Sequence, residues 1–214
     1  MKLALIGATG FVGKAVLNEA LQRGYDVTAI ARDPQKIDAA SDKATLKAAD
    51  VFDTASLAAA LEGHDAVVSA YNAGWANPNL YDDFIKGSEA IQQAVKQAGV
   101  KRLLVVGGAG SLYAAPGLQL VDSPQFPAEW KAGATAARDY LNILKKEDEL
   151  DWTFLSPAIN LHPGERTGKF RLGTDEPVFN EKGQHEITVE DLAVAILNEL
   201  ENNQFVKRRF TVGY

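Results

Sequence analysis

The run Gly7-Ala8-Thr9-Gly10-Phe11-Val12-Gly13 follows the apolar stretch Lys2–Ile6 and precedes residues whose apolar character repeats at helical spacing. Each glycine in such a turn has its own task. Gly7 permits the tight reversal, Gly10 lets the main chain approach a bulky anion, and Gly13 lets the following helix lie close on the strand. The N–H groups of the first helical turn, with the helix dipole behind them, attract negative charge. The pattern predicts a pyrophosphate-binding turn. A second chemical position follows the next apolar run, Asp26–Ala31, where Arg32 and Asp33 stand. In a dinucleotide-binding unit, an acidic residue here holds a ribose 2′-hydroxyl and a basic one accepts a 2′-phosphate. The planar fork of Arg32 suits a phosphate. Asp33 leaves room for the unphosphorylated nucleotide, and with Pro34 it also reads as a helix start that needs no ligand. The expected cofactor is NADP in preference to NAD.

These residues need a scaffold that brings strand ends together. Seven apolar runs of strand length recur, at Lys2–Ile6, Asp26–Ala31, 45–49, 66–70, Arg102–Val106, 152–155 and 210–213. Helix-patterned segments separate them: Val12, Val16, Leu17, Ala20 and Leu21 before Gly24, then residues 81–99 and 189–201. Strands alternating with helices give a parallel sheet covered on both faces, an α/β class. Two irregular stretches interrupt the alternation. Residues 107–127 carry Pro116, Pro124 and Pro127, and the segment after Pro157 is broken by Gly164, Gly168, Gly173 and Gly183. Within the latter, residues 169–172 and 177–179 are expected to form one short hairpin. The chain therefore reads as one domain: a core over 1–157, a loop-rich cap over 158–188, and a final helix and strand over 189–214. Ligands bind beyond the carboxyl ends of such strands, so the irregular stretches are expected pocket walls.

Composition removes other classes. The 214 residues include no cysteine, which excludes disulfides, thiolate nucleophiles and cysteine-ligated metals. The three histidines, His64, His162 and His185, are far apart in sequence, and no metal site is expected. A net charge of -6 argues against nucleic acid and anionic membranes, and Lys207-Arg208-Arg209 is too short a basic run to reverse that. No apolar stretch approaches the roughly 18 residues of a membrane span, and a cytoplasmic monomer or homodimer is expected. Asp82-Asp83 and residues 147–149 read as solvated helix faces.

Beyond the glycine turn, Ala49-Asp50-Val51-Phe52-Asp53, Val67-Val68-Ser69-Ala70 and Val105-Val106-Gly107-Gly108-Ala109-Gly110-Ser111 follow at strand ends. With these segments the chain resembles the atypical short-chain dehydrogenase/reductases, and within them the NAD(P)H-binding group named for NADH-flavin reductases and NAD-dependent epimerase/dehydratases. Asp151-Trp152-Thr153-Phe154-Leu155-Ser156-Pro157, Ile187-Thr188-Val189-Glu190-Asp191-Leu192-Ala193 and the ending Arg209-Phe210-Thr211-Val212-Gly213-Tyr214 extend the similarity over nearly the whole chain. The resemblance implies a Rossmann-like, doubly wound NAD(P)-binding sheet. It also implies that Gly7 and Gly13 shape a turn whose Thr9, Gly10, Phe11 and Val12 cradle the pyrophosphate. Arg32 would hold the adenosine phosphate or ribose, Asp50 and Val51 would border the adenine, Ser69, Ala70 and Tyr71 would line the ribose, and Gly107 and Gly108 would lie under the nicotinamide.

Relatives of the common type use a serine after the fifth strand and a Tyr-x-x-x-Lys pair on the next helix, where the lysine lowers the tyrosine pKa for proton transfer. Ser111 stands either in that serine position or as a turn cap. Tyr81, Tyr113 and Tyr140 are followed four residues later by Ile85, Gly117 and Leu144. Counting back from Trp152 puts Ala134 and Arg138 where the pair is expected, and Tyr140 reads as core. Tyr113 stands as a substitute proton donor. Hydride transfer to a flavin or quinone-like acceptor needs no such pair, because the cofactor carries the chemistry and water supplies protons. Trp75, Tyr71 and Trp130 offer aromatic surface for a flat ring. Three readings follow: a flavin or quinone reductase; an epimerase, dehydratase or carbonyl reductase acting through Ser111 or Tyr113; and a non-catalytic dinucleotide sensor.

Overall fold

The computed structural model describes residues 1–37 and 41–214. In chain order the elements are β1 (Lys2–Ile6), α1 (Phe11–Gln22), β2 (Asp26–Ala31), β3 (Ala44–Ala48), α2 (Thr54–Leu61), β4 (Ala66–Ser69), α3 (Leu80–Gln97), β5 (Arg102–Val106), β6 (Tyr113–Ala115) and β7 (Leu118–Gln119). They continue with α4 (Ala128–Leu144), β8 (Asp151–Ser156), β9 (Asn160–His162), β10 (Arg171–Gly173), β11 (Glu186–Thr188), α5 (Val189–Asn202) and β12 (Arg208–Gly213). The main sheet runs β10-β12-β8-β5-β4-β1-β2-β3, parallel except for β10. Strand order turns back between β1 and β4, so the chain departs in opposite directions from these neighbours. A crevice opens at such a point.

Both sheet faces are buried, which is why the strands read as unbroken apolar runs. Leu3, Leu5, Val27, Leu104 and Phe210 face α1 and α5. Alternate residues Ala4, Ile6, Ile30, Leu103 and Phe154 face α2, α3 and α4. The fold is the α/β architecture that the alternation implied and the Rossmann-like sheet that the resemblance implied; β1, β2 and β5 have the expected bounds, and the other four expected strands differ by one or two residues.

The irregular stretches differ from expectation in their pairing. Residues 169–172 and 177–179 form no hairpin; β10 instead adds antiparallel to β12 at the sheet edge. The hairpin lies in the other excursion, where β6 pairs with β7. β9 and β11 form a separate parallel pair. His185 is buried at the foot of this pair: its Nδ1 accepts from the Ile159 N–H at 3.4 Å, and burial lowers its pKa. Glu147 is likewise no solvated acid. It is buried, accepting from Gln92 Nε2 at 2.6 Å and from the Glu149 N–H at 2.7 Å.

The sheet's lower end is fastened by a buried cation. Arg102 at the start of β5 donates to Glu199 Oε1 of α5 at 2.8 Å, to Thr153 Oγ1 at 2.8 Å and to Asn203 Oδ1 at 2.9 Å. The two ionic side chains are 11% and 2% exposed, so removing either leaves an uncompensated charge in a poorly solvated place. Arg102→Met or Glu199→Gln is expected to destabilise the fold by about 3–5 kcal/mol, and the double replacement Arg102→Met with Glu199→Leu by less. Urea unfolding checks this, and single variants within about 1 kcal/mol of the parent would show that the pair is not holding β5 to α5.

Candidate functional site

At the carboxyl end of β1 the chain turns through Gly7, whose φ of +83° lies in the left-handed region. A Cβ there would sit 2.6 Å from the Ala70 carbonyl oxygen, so only glycine lets this turn press against the end of β4. A Cβ at Gly13 would meet the Gly7 carbonyl oxygen at 2.1 Å, which fixes how closely α1 lies on the turn. The Gly10 N–H closes the loop onto the Gly7 carbonyl at 3.0 Å. Among the described residues no side chain caps α1, and its first turn carries no acidic residue. A helix start that is pressed on the sheet, uncapped and positively polarised is a cradle for an anion.

Around this turn lies a cleft of 230 Å³, lined by the glycine turn, by the ends of β2 and β4, and by residues after β3. Of the residues singled out from sequence, it brings together Gly7, Thr9, Gly10, Arg32, Asp50, Val51, Ala70 and Tyr71. Phe11, Val12 and Gly13 open α1 beside it. Asp50 Oδ1 accepts from the Phe52 N–H at 3.0 Å, and Asp53 caps α2 through Ser56, so this loop is held at both ends. Tyr71 stacks on Phe84 with ring centroids 6.0 Å apart and donates to the Asp83 carbonyl at 2.9 Å. Burial, reinforced by the Asp83 and Asp50 carboxylates, pushes its hydroxyl up to about 12, so it stays protonated at neutral pH.

Arg32 is exposed and also borders a shallow depression of 300 Å³ with Thr9, Asp33 and Lys36. The Asp33 side chain accepts from the Gln35 N–H at 3.3 Å, starting a short 3-10 turn, and pairs with Lys36 at 3.3 Å. The helix-start reading of Asp33 describes this geometry. The depression therefore presents Arg32, the Lys36–Asp33 ion pair and a hydroxyl.

The other expected residues are not among those lining this cleft. Ser69 is buried in β4 and does not line the cleft. Gly107 is demanded by packing, since a Cβ would sit 1.9 Å from the Phe154 ring; Gly108 lies 3.4 Å from the Ala137 methyl by the same measure. Ser111 has no exposed surface. Its Oγ lies 3.1 Å from Ser156 Oγ and 3.1 Å from Arg209 Nη1, and it reaches the Gly108 carbonyl at 3.4 Å. Tyr113 is half-buried with its ring centroid 5.8 Å from the Arg209 guanidinium carbon. Arg209, also bonded to Asp175, thus gathers the Ser111 turn and the cap onto the sheet. Ala134 and Arg138 both lie on α4, where Arg138 pairs with Asp122 and Asp139. Tyr140 is core, as its stripe suggested.

Sequence reading missed Phe52, Asn72, Ala73, Asn77 and Asp83, which complete the cleft. Phe52 could have been found as an aromatic residue in a strand-end loop. Asn77 and Asp83 carry no local signal; the return of α3 to the sheet places them there.

The cradle yields a direct test. Gly13→Ala puts a methyl where the Gly7 carbonyl stands, and the folded variant is expected to bind dinucleotide about 10- to 100-fold more weakly, as overpacking costs of this kind imply. Fluorescence titration with NADPH measures this alongside a melting curve. Unchanged affinity in a folded variant would remove the turn from the binding site.

Residues 7–203 match the family model described as NAD(P)H-binding. The chain is 40% identical over 215 aligned positions to the uncharacterised protein YwnB of Bacillus subtilis strain 168, covering 99% of this chain and 98% of that one. A Bacteroides thetaiotaomicron structure provisionally named an epimerase superposes with a TM-score of 0.93 at 47% identity, over 100% of this chain and 96% of the other. One from Streptococcus pneumoniae, provisionally named an NADH-flavin reductase, gives 0.87 at 38% identity, over 100% and 99%. Among the described residues, no helix is long and apolar enough to cross a membrane. The glycine cradle at the switch point, the Rossmann-like sheet around it and the match across most of its length make this chain a member of the NAD(P)H-binding family of short-chain dehydrogenase/reductase-like proteins.

Proposed function

We propose that this protein is an NAD(P)H-dependent reductase that passes hydride to a flavin or quinone-like acceptor without a tyrosine–lysine pair. The observation that carries this reading is the contrast between a fully formed cofactor cradle and the polar groups beside it. Ser111 is buried and engaged by Ser156 and Arg209, and Arg138 is engaged by Asp122 and Asp139. When bound, the dihydronicotinamide would supply a hydride to the acceptor, and the single proton that completes the reduction would come from water.

The chain's own residues bind and orient. The N-terminal turn of α1 takes the pyrophosphate, while Asp50, Val51 and Phe52 border the adenine. Tyr71 closes the wall between them. Arg32, with Lys36 and Thr9 beside it, receives a 2′-phosphate, which favours NADP; the Asp33 carboxylate is occupied by its own turn and by Lys36. The epimerase name of one close structure keeps a second reading in view, in which Tyr113 moves a proton at a carbonyl or sugar carbon.

Purified protein is expected to oxidise NADPH in the presence of riboflavin, FMN or menadione, and to prefer it to NADH by at least about tenfold, the value of one charge-assisted contact. Arg32→Ala should lose most of that preference while NADH turnover changes little. Ser111→Ala and Tyr113→Phe should leave turnover within about twofold, because neither group donates a proton. No acceptor-dependent oxidation across flavins and quinones would overturn the reductase reading. A large loss in Tyr113→Phe would favour the second one.

A further inference from the structure

The chain displays two large, exposed aromatic side chains, one on α4 and one on the loop that borders the cofactor cleft. Trp75 is 62% exposed and Trp130 is 50% exposed. Trp75 occupies the β4–α3 loop, whose Asn72, Ala73 and Asn77 line the cleft itself. That loop is rigidly bonded. Asn72 Oδ1 accepts from the Gly74 N–H at 2.7 Å, and the Asn77 N–H donates to the Gly74 carbonyl at 3.0 Å. Asn77 Nδ2 donates to the Ala73 carbonyl at 3.2 Å and to Asp83 Oδ2 at 2.8 Å, tying the loop to α3. Gly74, at φ +98°, supplies the left-handed step that starts the turn.

The indole also has a seat. A Cβ at Gly133 of α4 would lie 2.8 Å from Trp75 Cζ3 and 3.2 Å from both Trp75 Cη2 and Leu80 Cδ2, so α4 admits the ring only because residue 133 has no side chain. Trp130 precedes Gly133 by three positions and shares its side of the helix. The next residue, Ala134, meets the turn after β5: its Cβ would be 2.9 Å from a Cβ at Gly110. This face of α4 therefore runs from the strand-end turn to the seated indole, beyond the carboxyl ends of β4 and β5.

We propose that Trp75, seated on Gly133, and Trp130 form the acceptor subsite, and that its occupant is a planar, electron-poor fused ring such as an isoalloxazine or a naphthoquinone. This rests on the reductase reading and names the substrate surface for it. An indole fixed by a bonded turn yet left in water presents an electron-rich face, which an electron-poor ring covers by stacking. Trp75 shares its loop with Asn72, Ala73 and Asn77, which line the cleft, so a ring stacked on it would lie beside the cofactor site.

The test separates binding from turnover. Riboflavin and menadione, which carry no phosphate for the cradle to capture, are titrated into dinucleotide-free protein, with flavin or tryptophan emission reporting stacking. Acceptor KM and kcat are then measured with NADPH. Trp75→Ala is expected to weaken riboflavin binding and to raise acceptor KM by about tenfold, with kcat and NADPH affinity within about twofold. Trp75→Phe should recover most of the loss, and Gly133→Ala, which keeps both indoles but unseats one, should resemble Trp75→Ala. Because Trp75 is mostly exposed, melting temperatures should barely move. No riboflavin or menadione binding by the wild-type chain, or equal binding by it and Trp75→Ala, overturns the subsite. Absence of NAD(P)H oxidation by a wild-type chain that binds riboflavin through Trp75 overturns the reductase reading and leaves the aromatic site standing.

Discussion

Two backbone approaches, Gly7 against the end of β4 and Gly13 against Gly7, set the positions of most other parts of the site. A Cβ at Gly7 would stand 2.6 Å from Ala70, and one at Gly13 would stand 2.1 Å from the Gly7 carbonyl. Backbone at those separations has no room for a methyl group. Because the two contacts meet where strand order reverses, they set the gap between β1 and β4 and the angle at which α1 leaves the sheet. The N–H groups of that helix then face the crevice, and the walls supplied by β2, β3 and the β4–α3 loop stand around them. An uncapped helix start would ordinarily be an unsatisfied end; here Thr9 and Gly10 at that end line the cleft, where an anion could meet it.

The opposite half of the sheet follows a different logic. Its fixed points are buried cations. Arg102 joins β5, β8 and α5, and Arg209 gathers the Ser111 turn and the Asp175 segment onto β12. A guanidinium held away from water must find several acceptors, and meeting that demand draws segments distant in sequence to one place. Ser111 is consumed in this way. Its hydroxyl links the turn after β5 to β8 through Ser156 and to β12 through Arg209.

Unbroken apolar runs and glycine punctuation located β1, β2 and β5 to the residue, because both faces of a parallel sheet must be apolar and helices must end somewhere. The short strands after Pro157 were not legible. Three-residue segments such as Arg171–Gly173 carry too little pattern to name a partner, and β10 pairs with β12, almost forty positions later in the chain. Glu147, which lies past the end of α4, looked like a solvated acid because its partners, Gln92 and Lys96, belong to α3. Local spacing did not show that the ring of Phe154 leaves no room for a side chain at Gly107.

The sequence alone determined the α/β class, the anion-binding turn and the cation that follows β2. Each of these depends on residues a few positions apart, where spacing translates directly into backbone geometry. Only the tertiary structure decided which residues complete the cleft and which serine or arginine is already engaged, and that an exposed indole rests on a bare patch of α4. Those outcomes depend on contacts between residues separated by tens of positions, set by how helices pack across a twisted sheet, and no local spacing encodes them.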